Sequence, residues 1–142
     1  MSSSMTHTIF VYGTLKRRFP NHGLMAGAAF LGEARTVEAF PMVVQGKSFA
    51  PVMMPEPGLG HRIVGELWQV GDAKLVELDQ LESTHLPSGY IRQMIDVEAK
   101  AGGKVSAAWV YFKPRERVTI IHSDPHADYQ DRRYADVSDC RN

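Results

Sequence analysis

The sequence predicts an α+β protein of one domain, in which β-strands dominate and one strong helix lies near the middle of the chain. Three observations lead to this prediction. Six segments rich in β-branched and aromatic residues are separated by Gly and Pro turn signals. Helix-forming residues are concentrated in a single stretch, residues 71–83. The chain contains neither an internal repeat nor a low-complexity linker that would separate two domains.

The predicted strands are short and follow one another along the chain. The first, His7–Gly13, has Ile9, Phe10 and Val11 in succession, which is typical of a strand that is buried on both faces. Five further segments have a similar composition, and they cover residues 29–40, 42–45, 63–70, 91–98 and 105–112. The last two are joined by AKAGGK, whose paired glycines favour a hairpin.

The segment Gly71–Ser83 predicts a helix of about three turns. Asp72 is a suitable N-cap residue for it. The apolar stripe of this helix is formed by Leu75, Leu78 and Leu81. A weaker helix is expected to begin at Asn21, and the polar tail that starts at His122 is expected to be irregular.

Composition and charge exclude several classes of protein. The chain has 142 residues, enough to bury roughly 68–70% of its unfolded surface without disulfides or metal. Sixteen Lys and Arg residues balance sixteen Asp and Glu, so no nucleic-acid partner is expected. The lone Cys140, an opening without a signal-peptide pattern and the lack of a membrane-length apolar run indicate a soluble cytoplasmic protein. We expect a monomeric single domain over residues 1–142, with flexible ends at residues 1–6 and about 130–142.

Glu82 is the most informative single residue of the predicted helix. It follows Leu78 by four positions and Leu75 by seven, so its carboxylate is expected on the face that packs against the core, whereas Glu77 points away. Partial burial raises the pKa of a carboxyl group, which allows a glutamate to exchange protons near neutral pH. The alternative is that Glu82, like most glutamates at helix ends, bends into solvent or pairs with a cation.

The loop after the first strand carries a second candidate site. Its sequence, YGTLKRRFPNHG, has the spacing of neither the Walker phosphate loop nor the dinucleotide fingerprint. Gly13 directly after a strand, followed by Thr14 and Leu15, still lets successive backbone N–H groups turn toward a carboxylate or an oxyanion. The alternative is an ordinary turn with a solvated run of three basic residues.

The longer pattern VYGTLKRRFPNHGLM resembles the signature of the gamma-glutamyl cyclotransferase-like superfamily, and in particular its gamma-glutamylamine branch. Arg18 stands where the family often has glycine. The resemblance covers nearly the whole chain, because further segments occur in the same order and at similar spacing: FPMVV, GELWQV, LDQLES, YIRQMIDV, WVYF and HSDPHADY.

The resemblance implies a small, mostly antiparallel β-barrel with flanking helices. It implies that Glu82 is the catalytic acid and base. It also implies a substrate-binding loop, acting mainly through backbone groups, formed by Tyr12, Gly13, Thr14 and Leu15. Three further residues fall near the family's pocket, and each is explained equally well as a core or rim residue: Pro51, Tyr90 and Tyr111.

The reaction that the resemblance implies needs no nucleophile from the protein. The alpha-amine of a gamma-glutamyl amide attacks its own gamma-carbonyl, closing a ring that leaves as 5-oxoproline and releasing an amine, such as lysine from gamma-glutamyl-epsilon-lysine. Well-oriented intramolecular reactions reach effective molarities of roughly 10⁵–10⁸ M. The enzyme therefore has to fold the substrate and move one proton, which requires neither a cofactor nor a metal.

Three alternatives remain open from the sequence. The first is that the substrate is a gamma-glutamyl amino acid rather than a gamma-glutamylamine. The second is that the domain is a non-catalytic module that binds a small ligand. The third is a metal-dependent hydrolase, because the tail carries His and Asp at alternate positions. The residues of this tail cluster are His122, Asp124, His126 and Asp128.

Overall fold

The computed structural model describes residues 6–19, 21–47 and 49–130. Within these ranges the strands are β1 (Thr6–Val11), β2 (Ala29–Phe40), β3 (Met42–Gln45), β4 (Ala50–Met53), β5 (His61–Gly71), β6 (Ile91–Ala99) and β7 (Val105–Phe112). One α-helix, α1 (Asp72–Leu81), follows β5 directly. Two short 3₁₀ helices cover His22–Met25 and Arg115–Arg117.

Five of the strands close into a small barrel. The order around it is β1-β5-β2-β6-β7, and β7 returns to β1 through a parallel pairing of Trp109 with Ile9. The other four pairings of the ring are antiparallel. Strands β4 and β3 extend the sheet beyond β7. The predicted α+β class and mostly antiparallel barrel are confirmed, with one α-helix and two 3₁₀ helices beside it.

Strand β1 is buried on both faces, as its unbroken apolar run predicts. Phe10 belongs to the cluster that fills the barrel, whereas Ile9 and Val11 belong to a second cluster that also contains Leu75 and Leu78 of α1. Because successive side chains of a strand point to opposite faces, β1 forms the wall between the two clusters. The end of β1 is therefore fixed from both sides at the point where the predicted substrate loop begins.

Most strands lie where the sequence predicts them, and one was missed. The bounds of β2, β3 and β7 agree with the predicted segments, and β6 and β7 form the predicted hairpin, with Gly102 and Gly103 at positive φ. Strand β4 was not predicted, since it is only four residues long and contains Pro51. Proline cannot donate a ladder hydrogen bond, so the pattern APVM does not favour a strand.

Helix α1 confirms the predicted helix, with two corrections. The N-cap is Gly71, so the assignment of Asp72 as N-cap was wrong: Asp72 is the first helical residue, and its Oδ1 lies 2.6 Å from His7 Nε2. Leu75 and Leu78 are buried, but Leu81 is 39% exposed because the helix ends there.

Two weaker predictions have a clear outcome. The helix expected from Asn21 is a single 3₁₀ turn with Asn21 as its N-cap. The tail residues 122–130 contain neither helix nor strand, and they are held by backbone bonds from His122 to Val44 and from His126 to Met42. Among the residues described, no helix has the length and apolar character needed to cross a bilayer.

Candidate active site

The loop after β1 is a compact turn held by neighbouring side chains. Lys16 N donates to Gly13 O across the turn at 3.0 Å. Asn21 holds Thr14 twice, because its backbone N donates to Thr14 O and its Nδ2 donates to Thr14 Oγ1, both at 2.9 Å. His22 Nδ1 lies 3.1 Å from Leu15 O. Asn21 and His22, at the end of the predicted loop motif, therefore hold Thr14 and Leu15 at its start.

This arrangement leaves backbone donors available on one stretch of the loop. The N–H groups of Gly13, Thr14 and Leu15 donate to no acceptor in the part of the chain that the structure describes. The Leu15 side chain is buried in the cluster between β1 and α1, so it anchors the loop and leaves contact with a ligand to the backbone. Successive backbone N–H groups that have no hydrogen-bond acceptor are able to bind an anion together.

Tyr12 supports the loop from below. Its side chain is buried, and its hydroxyl donates to Tyr111 O at 2.7 Å. The hydroxyl oxygen of Tyr12 also accepts a hydrogen bond from Met53 N at 3.2 Å. The hydroxyl therefore ties β1 to β7 and β4. Of the four residues that the resemblance assigns to substrate binding, Tyr12 and Leu15 use their side chains for structure, Gly13 is buried, and Thr14 is half-buried.

Pro51 lies against Gly13 of the loop, and Tyr90 lies against Pro51. A Cβ atom added to Gly13 would be 2.4 Å from Pro51 Cγ, so the proline ring covers the glycine. Tyr90 donates its hydroxyl to Pro51 O at 3.0 Å. Tyr90 N in turn donates to Glu82 O at 3.0 Å. A continuous chain of contacts therefore connects Gly13 to Glu82.

Glu82 is the C-cap residue of α1 and is half-buried. Ser83 follows it at a φ of 55°, which ends the helix in a left-handed conformation. The segment then returns so closely that a Cβ atom on Gly89 would be 1.9 Å from Ser83 O, and only glycine fits there. These constraints fix the Glu82 backbone. Glu77, on the same helix, is exposed as expected.

The carboxylate of Glu82 lies close enough to both site tyrosines to influence their ionisation. Burial raises the pKa of the Tyr12 hydroxyl, the Met53 N–H lowers it, and the charge on Glu82 raises it. Burial also raises the pKa of the Tyr111 hydroxyl, as do its hydrogen bond to Asp79 and the charges on Asp79 and Glu82. Both hydroxyls therefore stay protonated and act as hydrogen-bond donors, so neither serves as a base near neutral pH.

Sequence reasoning missed two residues of this site, Asp79 and Arg92. Tyr111 OH donates to Asp79 Oδ1 at 2.7 Å, and Arg92 Nε donates to the same oxygen at 2.8 Å. Asp79 lies three positions before Glu82, and residues at this spacing share one face of a helix. That spacing is a signal for Asp79, but nothing in the sequence points to Arg92 as its partner.

The far end of the loop is anchored by another carboxylate that the sequence did not suggest. Glu66 is 7% exposed, and its Oε1 accepts from Arg17 N at 3.0 Å and from Trp68 Nε1 at 3.2 Å. Its Oε2 accepts from Arg17 Nε at 3.1 Å. Because a buried carboxylate is stable only when it is hydrogen-bonded, Glu66 and Arg17 hold each other and fix the loop between β1 and Asn21.

A cavity of about 380 Å³ lies beside this anchor, and neither Gly13, Thr14 nor Glu82 lines it. Its charged walls are already paired, Lys16 with Asp128 and Arg17 with Glu66. Polar groups that satisfy one another offer little to a ligand. The loop and Glu82 are therefore a better candidate for chemistry than this cavity. The lining residues are Lys16, Arg17, Arg18, Phe19, Glu33, Val64, Gly65, Glu66, Asp128 and Gln130.

The tail cluster does not converge on a common point. Among the residues described, no group of three or more His, Cys, Asp or Glu side chains is placed to hold a metal ion. His122 Nε2 lies 2.9 Å from Gly46 O, and its ring stacks on Phe49 at 4.3 Å. Asp128 Oδ1 accepts a hydrogen bond from the buried Lys16 Nζ at 2.8 Å. These residues attach the tail to the barrel.

Comparison with known proteins decides the family. The family model described as "Gamma-glutamyl cyclotransferase, AIG2-like" matches residues 9–131, which include the loop and Glu82. The chain belongs to this family. The Mus musculus protein named gamma-glutamylaminecyclotransferase is 43% identical over 99 residues, and the match covers 66% of this chain and 64% of that protein. The chain thus spans slightly less than two thirds of that relative.

Two further comparisons extend over more of the chain. Gamma-glutamylaminecyclotransferase C of Danio rerio is 32% identical over 133 residues, which cover 87% of this chain and 86% of that protein. The crystal structure of an AIG2-like protein from Mus musculus superposes with a TM-score of 0.77 at 34% identity, covering 88% of each chain. The barrel of this gamma-glutamyl cyclotransferase family member is therefore a fold already observed in the family.

Proposed function

We propose that this chain is a gamma-glutamylamine cyclotransferase that converts a gamma-glutamylamine into 5-oxoproline and an amine. The proposal rests on one observation above all. The backbone carbonyl of Glu82 is connected through Tyr90 and Pro51 to a loop whose N–H groups at residues 13–15 have no acceptor among the described residues. The half-buried carboxylate of Glu82 lies close enough to Tyr12, at the start of this loop, to raise the pKa of its hydroxyl. A proton carrier and an anion site in one place are what this ring closure requires.

The loop is proposed to hold the negatively charged part of the substrate. Undonated N–H groups on Gly13, Thr14 and Leu15 suit either the alpha-carboxylate of the glutamyl group or the oxyanion that forms at its gamma-carbon. Tyr12 and Asn21 keep this backbone in place through their own hydrogen bonds. The loop therefore binds without a change in its own conformation.

Glu82 is proposed as the proton carrier. The Tyr12 and Tyr111 hydroxyls have a raised pKa and donate to a carbonyl and to Asp79, so neither is available as a base. Asp79 accepts from Tyr111 and is paired with Arg92 at 2.8 Å. Glu82 is the half-buried carboxylate that follows Asp79 at the end of α1, and a single carboxylate can accept and return one proton.

The proposed reaction proceeds with one transferred proton. The substrate's neutral alpha-amine attacks the gamma-carbonyl carbon, forming the ring C–N bond and placing negative charge on the carbonyl oxygen. Glu82 takes a proton from the attacking nitrogen and gives it to the leaving nitrogen. The carbonyl then re-forms as the old C–N bond breaks, which releases 5-oxoproline and the amine and returns Glu82 to its carboxylate form. Neither a metal nor a cofactor takes part.

The leaving amine is proposed to be lysine, released from gamma-glutamyl-epsilon-lysine. The relatives at 43% and 32% identity are named gamma-glutamylaminecyclotransferases, which supports the gamma-glutamylamine class, and lysine is the amine that the sequence resemblance favours within it. The test is release of 5-oxoproline from a panel containing this compound, other gamma-glutamylamines and gamma-glutamyl amino acids. Turnover confined to gamma-glutamyl amino acids would replace the proposed substrate class. Binding of the panel without any turnover would indicate a non-catalytic module.

We also propose that the protein acts on small molecules alone, as a monomer in the cytoplasm. The balanced charge, with sixteen basic and sixteen acidic residues, argues against a nucleic-acid partner, and the single cysteine fits a reducing compartment. Sedimentation of the purified protein tests the monomer.

A further inference from the structure

Asp79 accepts two hydrogen bonds at one oxygen. Its Oδ1 accepts from Tyr111 OH at 2.7 Å and from Arg92 Nε at 2.8 Å. The side chains of Asp79 and Arg92 are 23% and 24% exposed, so solvent screens this ion pair only in part. Its consequence is geometric, because three side chains from three different elements meet at one atom.

The two donors belong to the β6–β7 hairpin. Arg92 of β6 and Tyr111 of β7 are register partners, and the guanidinium of Arg92 stacks over the Trp109 ring with its carbon 4.3 Å from the ring centroid. A guanidinium fixed in this way is pre-organised for hydrogen bonding. The contact with Asp79 therefore attaches the last turns of α1 to a rigid part of the barrel.

The same contact reaches both halves of the candidate site. Asp79 lies one turn before Glu82 on α1, and Tyr111 O accepts the Tyr12 hydroxyl at 2.7 Å, directly before the substrate loop. Resting on the proposed function, we propose that Asp79 is a positioning residue: by holding the Tyr111 hydroxyl, it sets the end of α1 against β7 and so aims Glu82 at the substrate held by the loop.

Asp79→Ala tests this proposal directly. Displacement of a reacting group by about 1 Å can reduce a rate 10²-fold, so we expect kcat to fall by at least about tenfold. The KM should stay within about threefold of wild type, because the loop that binds substrate is untouched. Asp79→Asn should restore most of kcat, since an amide oxygen at the Oδ1 position can accept from both donors. A loss in Asp79→Asn as large as in Asp79→Ala would overturn the hydrogen-bonding role.

A double variant shows whether Asp79 acts through Tyr111. Tyr111→Phe removes the shared hydroxyl, so adding Asp79→Ala to it should lower kcat by less than about threefold further, because the two changes remove one interaction. Full multiplication of the two single effects would overturn the proposal. Glu98→Ala is the matched control: Glu98 accepts from Arg35 and Arg62 near the other end of β6, and its loss should leave kcat unchanged.

Thermal melts and Glu82→Gln complete the experiment. Asp79→Ala should melt close to Glu98→Ala, and a wild-type kcat in Asp79→Ala, with any effect confined to the melting temperature, would overturn the positioning role. Glu82→Gln in the same assay distinguishes failure of the positioning role of Asp79 from failure of the proposed function. If Glu82→Gln is inactive while Asp79→Ala has normal kcat, only the positioning role is contradicted. If Glu82→Gln is active, the proposed function itself is contradicted, and the positioning role with it.

Discussion

The Pro51 ring packs directly against Gly13. A Cβ atom added to Gly13 would lie 2.4 Å from Pro51 Cγ, so the two residues can be neighbours only because one of them is glycine. Gly13 does not have a left-handed φ, and its backbone conformation is open to other residues. The need for glycine at this position is therefore steric. It arises from β4, a strand distant in sequence from the loop.

Gly13→Ala should displace the loop, because the proline ring cannot rotate away. We expect a loss of stability of about 1–3 kcal/mol, as for other overpacked sites, and a fall in turnover of about 10²-fold from the misplaced N–H groups. Turnover and melting temperature measure the two effects. Pro51→Ala in the same chain should restore activity. Gly23→Ala, where the added Cβ meets nothing within 4 Å, is the control.

Arg18 adopts a φ of 72°, which is in the left-handed region that favours glycine. The left-handed conformation costs roughly 1–2 kcal/mol for a residue with a Cβ atom. Arg18→Gly should therefore be more stable than Arg18→Ala by about 1 kcal/mol, since both variants lose the arginine side chain and only glycine relieves the strain. Chemical denaturation of the two variants measures the difference. Equal stability would mean that the wild-type conformation is not strained.

Asp128 should contribute to stability through Lys16. The Lys16 side chain is 7% exposed and donates to Asp128 Oδ1 at 2.8 Å and to Tyr129 O at 3.1 Å, but the Asp128 side chain is 42% exposed. Asp128→Asn weakens a charge-assisted bond in a partly solvated place, so we expect a loss of about 1–2 kcal/mol in the free energy of unfolding. Asp124→Asn on the exposed part of the same tail should change nothing.

Chelation should leave the reaction unaffected. In the proposed mechanism the proton is carried by Glu82, so dialysis against EDTA should not change the rate of 5-oxoproline release. The measurement compares the rate before dialysis, after dialysis, and after addition of zinc or manganese. Loss of activity that a metal restores would favour a site at the tail cluster.

Local signals predicted much of this structure. Runs of β-branched and aromatic residues between turn signals predicted the bounds of β2, β3 and β7, and helical periodicity placed Glu82 at the half-buried end of α1. The contacts that complete the site are long-range: Tyr111 and Arg92 lie 32 and 13 residues from Asp79 along the chain. Such pairs depend on strand register, which a single sequence does not reveal.

The errors also have physical causes. Asp72 is a good N-cap residue by type, but its carboxylate lies beside His7 of β1, and the extended Gly71 takes the cap position. Strand β4 exists because it pairs with β3 along its whole length, which compensates for a poor strand sequence. Tertiary contacts thus override local preference at both places.

Glu82→Gln tests the central claim most directly, with Glu77→Gln as its control on the same helix. Glutamine keeps the size of the side chain but cannot accept and return a proton, so turnover should fall by about 10²–10⁴-fold, the range usual for general acid–base groups. Glu77 is exposed and accepts a hydrogen bond from Lys74 at 2.9 Å on the same helix, so Glu77→Gln should keep full activity.

The measurement is the rate of 5-oxoproline release from one gamma-glutamyl substrate, with melting temperatures recorded for all three proteins. The account predicts that Glu82→Gln is nearly inactive, melts at or above the wild-type temperature because a half-buried carboxylate has been removed, and still binds 5-oxoproline through the loop. A folded Glu82→Gln protein that retains most of the wild-type turnover would contradict it.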